Sequence, residues 1–222
     1  MEQFRKTLAY CLDFLFPKSL SLMELETLSA GELLNLLPSS REIQDDSLVV
    51  LFDYKDPLVR EMIWELKYKG NRKIAKKFAE ILFDILQVEI AERTLMDSKG
   101  WATPILIPMP TSTKRRRERG YNQTEILSEE IKKLDTENFL SYKKDILIKS
   151  TFTESQARTH ATKREREQNL KDSFSVNQIK KVQDKCIILL DDVTTSGTTF
   201  REAKRTLMGA RAKRILCIAL AH

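Results

Sequence analysis

Cys186-Ile-Ile-Leu-Leu190 runs directly into Asp191-Asp192-Val193-Thr194-Thr195-Ser196-Gly197-Thr198-Thr199. The first part is apolar throughout and reads as a buried strand. Two adjacent carboxylates follow, then a turn of small hydroxyl residues around one glycine. Phe200, Ala203 and Leu207 then fall on one helical face, with Gly209 as a stop. In open parallel sheets, ligands lie outside the carboxyl ends of the strands. A turn of this kind gathers backbone N–H groups at a helix N-terminus, where the dipole favours a phosphate. Gly197 permits a close approach or a positive φ. Thr195, Ser196, Thr198 and Thr199 supply hydroxyl donors, and Thr199 is also a candidate helix cap. Ionised Asp191 and Asp192 only accept hydrogen bonds. They suit hydroxyl donors such as the cis hydroxyls of a ribose, or Mg²⁺ held directly or through substrate oxygens. The plainer alternative is an Asp-Asp turn with no ligand. A phosphate-loop nucleotidase is a further rival, but it needs a Gly-Lys step. None of the 6 glycines precedes a lysine, and no GxGxxG occurs.

Working outward, strands alternate with helical stretches. Leu48 to Phe52 reads as a strand, and Pro57 suits a first helical turn. Leu58, Met62, Ile63 and Leu66 keep helical spacing up to Gly70. Ile74 through Leu86 hold the spacing of one helical face. Pro104 to Met109 reads as a buried strand, and Thr111 to Asn122 as a basic loop. Ile126 to Leu134 mark a helix, Ile146 to Ile148 a short strand and Ile215 to Leu220 a last strand. Residues 154–170 are polar with helical propensity, and Arg164 to Glu167 suit an exposed, ion-paired face. The alternation predicts an α/β fold with a parallel sheet flanked by helices. Before it, residues 1–46 form an N-terminal helical segment, with apolar spacing at Phe4, Leu8, Leu12 and Leu15 and again from Leu33 to Leu37.

The 222 residues suffice for one large domain, with 41% apolar and 32% charged side chains. No apolar run reaches the roughly 18–20 residues of a membrane span, so a cytoplasmic protein is expected. Cys11, Cys186 and Cys217 include no CxxC pair and suit inert core thiols. With only His160 and His222, a hydrolase triad is poorly supplied. Trp64 reads as core. Net charge is +6, but residues 1–100 carry −3 and residues 101–222 carry +9. The second half therefore attracts anions, whether phosphorylated metabolites or nucleic acid. Aromatics are few (10 Phe, 5 Tyr, 2 Trp), and Tyr121 alone lies in the basic loop, which favours the metabolite over single-stranded DNA.

Ile187 to Thr199 resembles the phosphoribosyl-diphosphate (PRPP) signature of type I phosphoribosyltransferases. Leu66-Lys67-Tyr68-Lys69-Gly70 resembles the "LKYxG" segment of the ComF-like (competence protein F) family. Pro108-Met109-Pro110 with Arg116 and Arg119-Gly120-Tyr121-Asn122-Gln123 is similar to its "PxP…RxxRGFNQ". Gln156, Arg164, Asn169 and Phe174 match a further spacing, as does Gly209-Ala210. The resemblance spans residues 47–222. Two departures stand out. Members of the family carry a cysteine zinc motif after an apolar helix ending in Phe-Pro. Here Leu15-Phe16-Pro17 is followed by Lys18 to Leu22 without cysteine, and Leu28 to Gly31 lacks it too. Thiolate or imidazole ligands are what zinc requires, so no zinc is expected. Lys149-Ser150 stands where the family more often shows an arginine.

The resemblance implies a phosphoribosyltransferase-like domain over residues 47–222 that binds PRPP with Mg²⁺. Thr195 to Thr199 would cradle the 5′-phosphate, and Asp191 and Asp192 the ribose hydroxyls. Lys114 to Arg119 would meet the diphosphate, with Arg116, Arg119, Gly120 and Asn122 as the residues matching the family motif and Arg119 as the preferred contact. Lys67, Tyr68 and Lys69 line the acceptor side or simply end a helix. No catalytic acid or base is named by these motifs. The family points to competence and DNA uptake. Transfer to an unidentified acceptor and a non-catalytic role beside recombination proteins or single-stranded DNA both follow from that.

Overall fold

Side chains alternate along Cys186–Val193 (β6) because successive residues of a strand face opposite sides of a sheet. Ile187 and Leu189 pack with Phe200, Ala203 and Leu207 of the following helix. Ile188 and Leu190 join the other core, with Leu82, Leu86, Leu127 and Ile131. Both faces are therefore buried, which explains why the strand carries no polar alternation. Each such side chain contributes about 1.5–3 kcal/mol by leaving water.

The computed structural model describes residues 20–40, 46–149 and 173–222. Helices α1 (Leu20–Leu25) and α2 (Ala30–Leu36) come first; Ser29 caps α2 through a reciprocal bond with Glu32. Strand β1 (Leu48–Phe52) leads to α3 (Pro57–Trp64), which Asp56 caps and Pro57 opens. A π-helical turn (Glu65–Lys69) ends at Gly70, and α4 (Arg72–Met96) follows. After the short α5 (Ser98–Trp101) come β2 (Ile105–Pro108), α6 (Thr113–Arg119), α7 (Gln123–Leu134) and β3 (Ser141–Tyr142). Strands β4 (Leu147–Lys149) and β5 (Phe174–Val176) precede β6, α8 (Thr198–Gly209) and β7 (Arg214–Ala221).

The main sheet has the order β1-β7-β6-β2-β3, and every pair is parallel. The α/β sheet flanked by helices that the sequence predicts is present. Strands β4 and β5 stand outside it as an antiparallel pair. Three local expectations are corrected. Thr111 to Asn122 is not all loop: Ser112 caps a helix that Gly120 stops in the left-handed region. The strand does not end at Leu190 but includes both aspartates. Thr199 does not cap α8; Gly197 occupies that position at φ 66° and Thr199 lies inside the helix. Trp101 is buried, and so are the thiols of Cys186 and Cys217, burial raising the Cys186 thiol above its usual range. Outside the described residues lie Phe4 to Leu15, Cys11, most of the segment without zinc ligands, Ser150, the polar stretch 154–170 with Gln156, His160, Arg164 and Asn169. No helix among the described residues is long and apolar enough to cross a membrane.

Candidate functional site

Three stretches far apart in sequence meet at the carboxyl end of β6. The first is the aspartate pair. Asp191 reaches the surface in part, while Asp192 is buried. Asp191 accepts the Asp192 backbone N–H at 2.9 Å, and Asp192 accepts that of Val193 at 2.7 Å. These bonds hold the carboxylates against the backbone and aim their remaining lone pairs outward. Burial, reinforced by the neighbouring charge of Asp192, pushes the Asp191 carboxyl up to about 8.

The second stretch is the π-helical turn after α3. Its extra residue carries Lys67 over the aspartates, with Nζ 3.3 Å from Asp192 Oδ2. Such turns recur at functional sites because they re-aim side chains without ending a helix. This one is firmly anchored. Buried Glu65 pairs with Lys69 Nζ at 3.0 Å and accepts from Asn71 at 3.1 Å. Tyr121 donates its hydroxyl to the Lys67 carbonyl at 3.1 Å. Gly70, at φ 62°, leaves room for the Tyr121 ring, which a Cβ would meet at 3.1 Å.

The third stretch links β2 to α7. Asn122 is buried and caps α7 by accepting from the Thr124 N–H, while its amide donates to the Met109 carbonyl at 3.0 Å. Thr124 adds a second bond to the same carbonyl. Gln123 then donates to Asp192 Oδ2 at 2.8 Å and accepts from Arg119 at 3.3 Å. The Arg119 guanidinium also lies 4.7 Å over the Tyr68 ring.

A pocket of about 650 Å³ opens between these parts. Asp191, Asp192, Thr199, Arg119 and Asn122 all line it, as do Lys67, Arg115 and Lys149. Thr195, Ser196 and Gly197 line a neighbouring hollow of about 310 Å³, with Arg201 and Lys204 on its far wall. Ser196 and Thr198 share a hydrogen bond of 2.7 Å, so Thr198 braces the turn. Arg116 and Gly120 face a third hollow instead. There Arg116 is committed to Glu125 through contacts of 2.7 and 3.2 Å.

Among the residues expected from the sequence, the structure thus gathers both aspartates, Thr199, Arg119 and Asn122, places the rest of the turn alongside, and sets Arg116 apart. Trp64 is not core: it is half-buried and lines the pocket. Gln123 stood within the quoted motif without a role, and only its bond to Asp192 supplies one. Chemically, the pocket offers two acceptor groups ringed by cations, which suits a phosphorylated sugar. Among the described residues no group of three or more His, Cys, Asp or Glu gathers as a cage for a metal. The paired aspartates fit a divalent ion whose other ligands are a bound molecule's own oxygens.

No family model matches the chain. Competence protein F of Haemophilus influenzae is 31% identical over 164 residues, covering 73% of this chain and 66% of that protein. DNA utilization protein YhgH of Escherichia coli (strain K12) is 29% identical over 196 residues, covering 82% and 77%. The chain therefore spans just under two thirds of the first relative's length and about three quarters of the second's. Among solved structures, that of the allosteric regulatory enzyme of purine biosynthesis is 20% identical. It overlays 52% of this chain and 21% of its own with a TM-score of 0.34, too loose to carry weight.

Proposed function

The chain belongs to the competence protein F family, and from that premise we propose that it binds PRPP with magnesium and transfers the phosphoribosyl group to a nitrogenous acceptor. One observation carries the reading. Asp191 and Asp192 share a pocket with Lys67, Arg115, Arg119 and Lys149, beside the turn that enters α8.

The aspartates accept the ribose hydroxyls. Thr195 to Thr199 hold the 5′-phosphate through hydroxyls, backbone N–H groups and the start of α8. Arg119 and Arg115 meet the diphosphate, while Gly120 and Asn122 set the course of the backbone around them. In the transfer, the bond from the anomeric carbon to the diphosphate oxygen breaks. The acceptor nitrogen bonds to that carbon, and its surplus proton leaves to solvent or to the diphosphate. Positive charge builds on the sugar and negative charge on the leaving group. Preorganised cations stabilise the latter by several kcal/mol, since they need no reorientation as the bond breaks. Magnesium, bound to the substrate, neutralises further diphosphate charge.

Lys67 and Gln123 both occupy Asp192 Oδ2 when no ligand is present. They keep that carboxylate ionised and oriented for the sugar. The names of the two relatives refer to competence and DNA utilisation, and we place the reaction in the handling of incoming DNA, in the cytoplasm with competence or recombination proteins as partners.

Isothermal titration with Mg²⁺–PRPP tests the reading. The native chain should bind. Asp191→Asn and Asp192→Asn should each weaken binding by about tenfold or more, the scale of a lost hydrogen bond to a charged group. Unchanged affinity in both variants sinks the assignment. A second reading draws on the exposed Arg117 beside the hollow of about 1020 Å³ along α6: single-stranded DNA binding without transfer. It predicts salt-sensitive DNA binding that PRPP leaves untouched.

A further inference from the structure

The phosphorylated end of the pocket leaves its opposite wall unexplained. Tyr54, Trp64 and Tyr68 line the same cavity as the aspartates. Trp64 and Tyr68 are stacked at 5.5 Å between ring centroids with a 36° tilt. The Arg119 guanidinium extends that flat surface from the face of Tyr68. Exposed rings are costly in water and usually cover something apolar. Here Tyr68 is 47% exposed, at the rim of an otherwise charged pocket.

Polar groups with nothing to do flank the wall. Glu61 is half-buried and Arg60 exposed, and both line the cavity. Among the described residues neither side chain has a hydrogen-bond or ion-pair partner. One offers only acceptors and the other only donors, which together match the mixed edge of a nitrogen heterocycle. Planar bases are held in this way elsewhere: a face on an aromatic or guanidinium plane, an edge on polar side chains.

We propose that Trp64, Tyr68 and the Arg119 guanidinium form the stacking wall of the acceptor subsite, with Glu61 and Arg60 reading the edge, so that the acceptor is a planar nitrogen heterocycle and not a small amine. This inference rests on the transferase reading above. The π-helical turn gives the wall its place. The turn brings Tyr68 under Arg119 and Lys67 onto Asp192 within two residues. Acceptor and sugar subsites are thereby fixed by one rigid element, as an in-line attack on the anomeric carbon requires.

Trp101 is buried, so pocket-dependent quenching of intrinsic fluorescence reports Trp64. The full chain is titrated with adenine, guanine, uracil and, as a flat-free control, glycinamide. Ribose 5-phosphate and magnesium diphosphate are kept saturating, filling the sugar and diphosphate places without a bond to transfer. At least one heterocycle should quench saturably and glycinamide should not. Tyr68→Leu should weaken that heterocycle by about tenfold, a typical loss for one stacking side chain. Tyr68→Phe should restore it, because the ring and not the hydroxyl supplies the wall. Glu61→Gln should alter the ranking of the heterocycles.

No quenching by any heterocycle in a chain that binds PRPP overturns the subsite and leaves the transferase reading standing. Equal affinity in Tyr68→Leu overturns its location. Heterocycle binding in a chain that titration shows not to bind PRPP overturns the acceptor role together with the transferase reading.

Discussion

Asp191 combines two pressures that usually exclude each other. It accepts a backbone N–H as an ionised acid does, yet burial and the charge of Asp192 lift its carboxyl to about 8. In the unfolded chain the same group titrates near 3.9. Between roughly pH 4 and pH 8 the folded state thus holds a proton that the unfolded state has released. The sign follows: this contribution to stability is full below pH 4 and is lost as pH rises through about 8. Urea unfolding of the ligand-free chain should show stability falling from pH 5 to pH 8.5, and Asp191→Asn should flatten that slope. A slope that survives the substitution would place its origin elsewhere. The aspartates were legible from sequence because an apolar strand ending in paired acids has few other uses. Lys67 was not, since nothing in a linear chain brings a lysine at the end of one helix onto an acid in a distant strand. Only the folded π turn puts its amine 3.3 Å from Asp192.

Elements with a buried face could be read, and elements without one could not. Helix α4 shows its apolar stripe from Ile74 to Leu86, and β6 its unbroken apolar run. Helix α6 buries no residue at all. Its seven residues hold together through the Ser112 cap and the Gly120 stop, so periodicity saw only a basic loop. Strands β4 and β5 are three residues each and pair across a long intervening segment, too short for a period to register. The π turn is equally invisible, since one extra residue leaves the surrounding spacing intact. Its end did leave a mark: Gly70 adopts φ 62° beneath Tyr121. A left-handed backbone with a side chain costs about 1–2 kcal/mol. Contact of the new methyl with the ring adds to this, so Gly70→Ala should destabilise the chain by about 2 kcal/mol in urea denaturation. It should also loosen PRPP, because Lys67 and Tyr68 ride on the same turn. Full stability in Gly70→Ala would mean that the turn relaxes freely and positions nothing.

At the scale of the molecule, the sheet acts as a jig for a site assembled from its edge. Residues 54–70, 109–123 and 191–199 have little to hold them together except β1, β2 and β6 beneath them. Leu189 lies at the centre of that support. It is fully buried, in register with Ile107 of β2 and Cys217 of β7, and packs under α8. Its side chain touches no residue of the pocket wall assigned to the ligand, so scaffold and site separate in a way that can be measured. Leu189→Ala removes apolar contact and leaves a cavity, which costs about 2–5 kcal/mol. A ligand that binds only the folded state adds RT ln(1 + [L]/Kd) to stability whatever the starting value. The prediction is therefore specific. Leu189→Ala should melt well below the native chain, yet at temperatures where both are folded Mg²⁺–PRPP should bind each with the same affinity, and the gain in unfolding free energy at a given PRPP concentration should also match. If affinity falls in step with stability, then the sheet's packing and the ligand site are one cooperative unit, and the division drawn here between a rigid support and the groups along its edge is wrong.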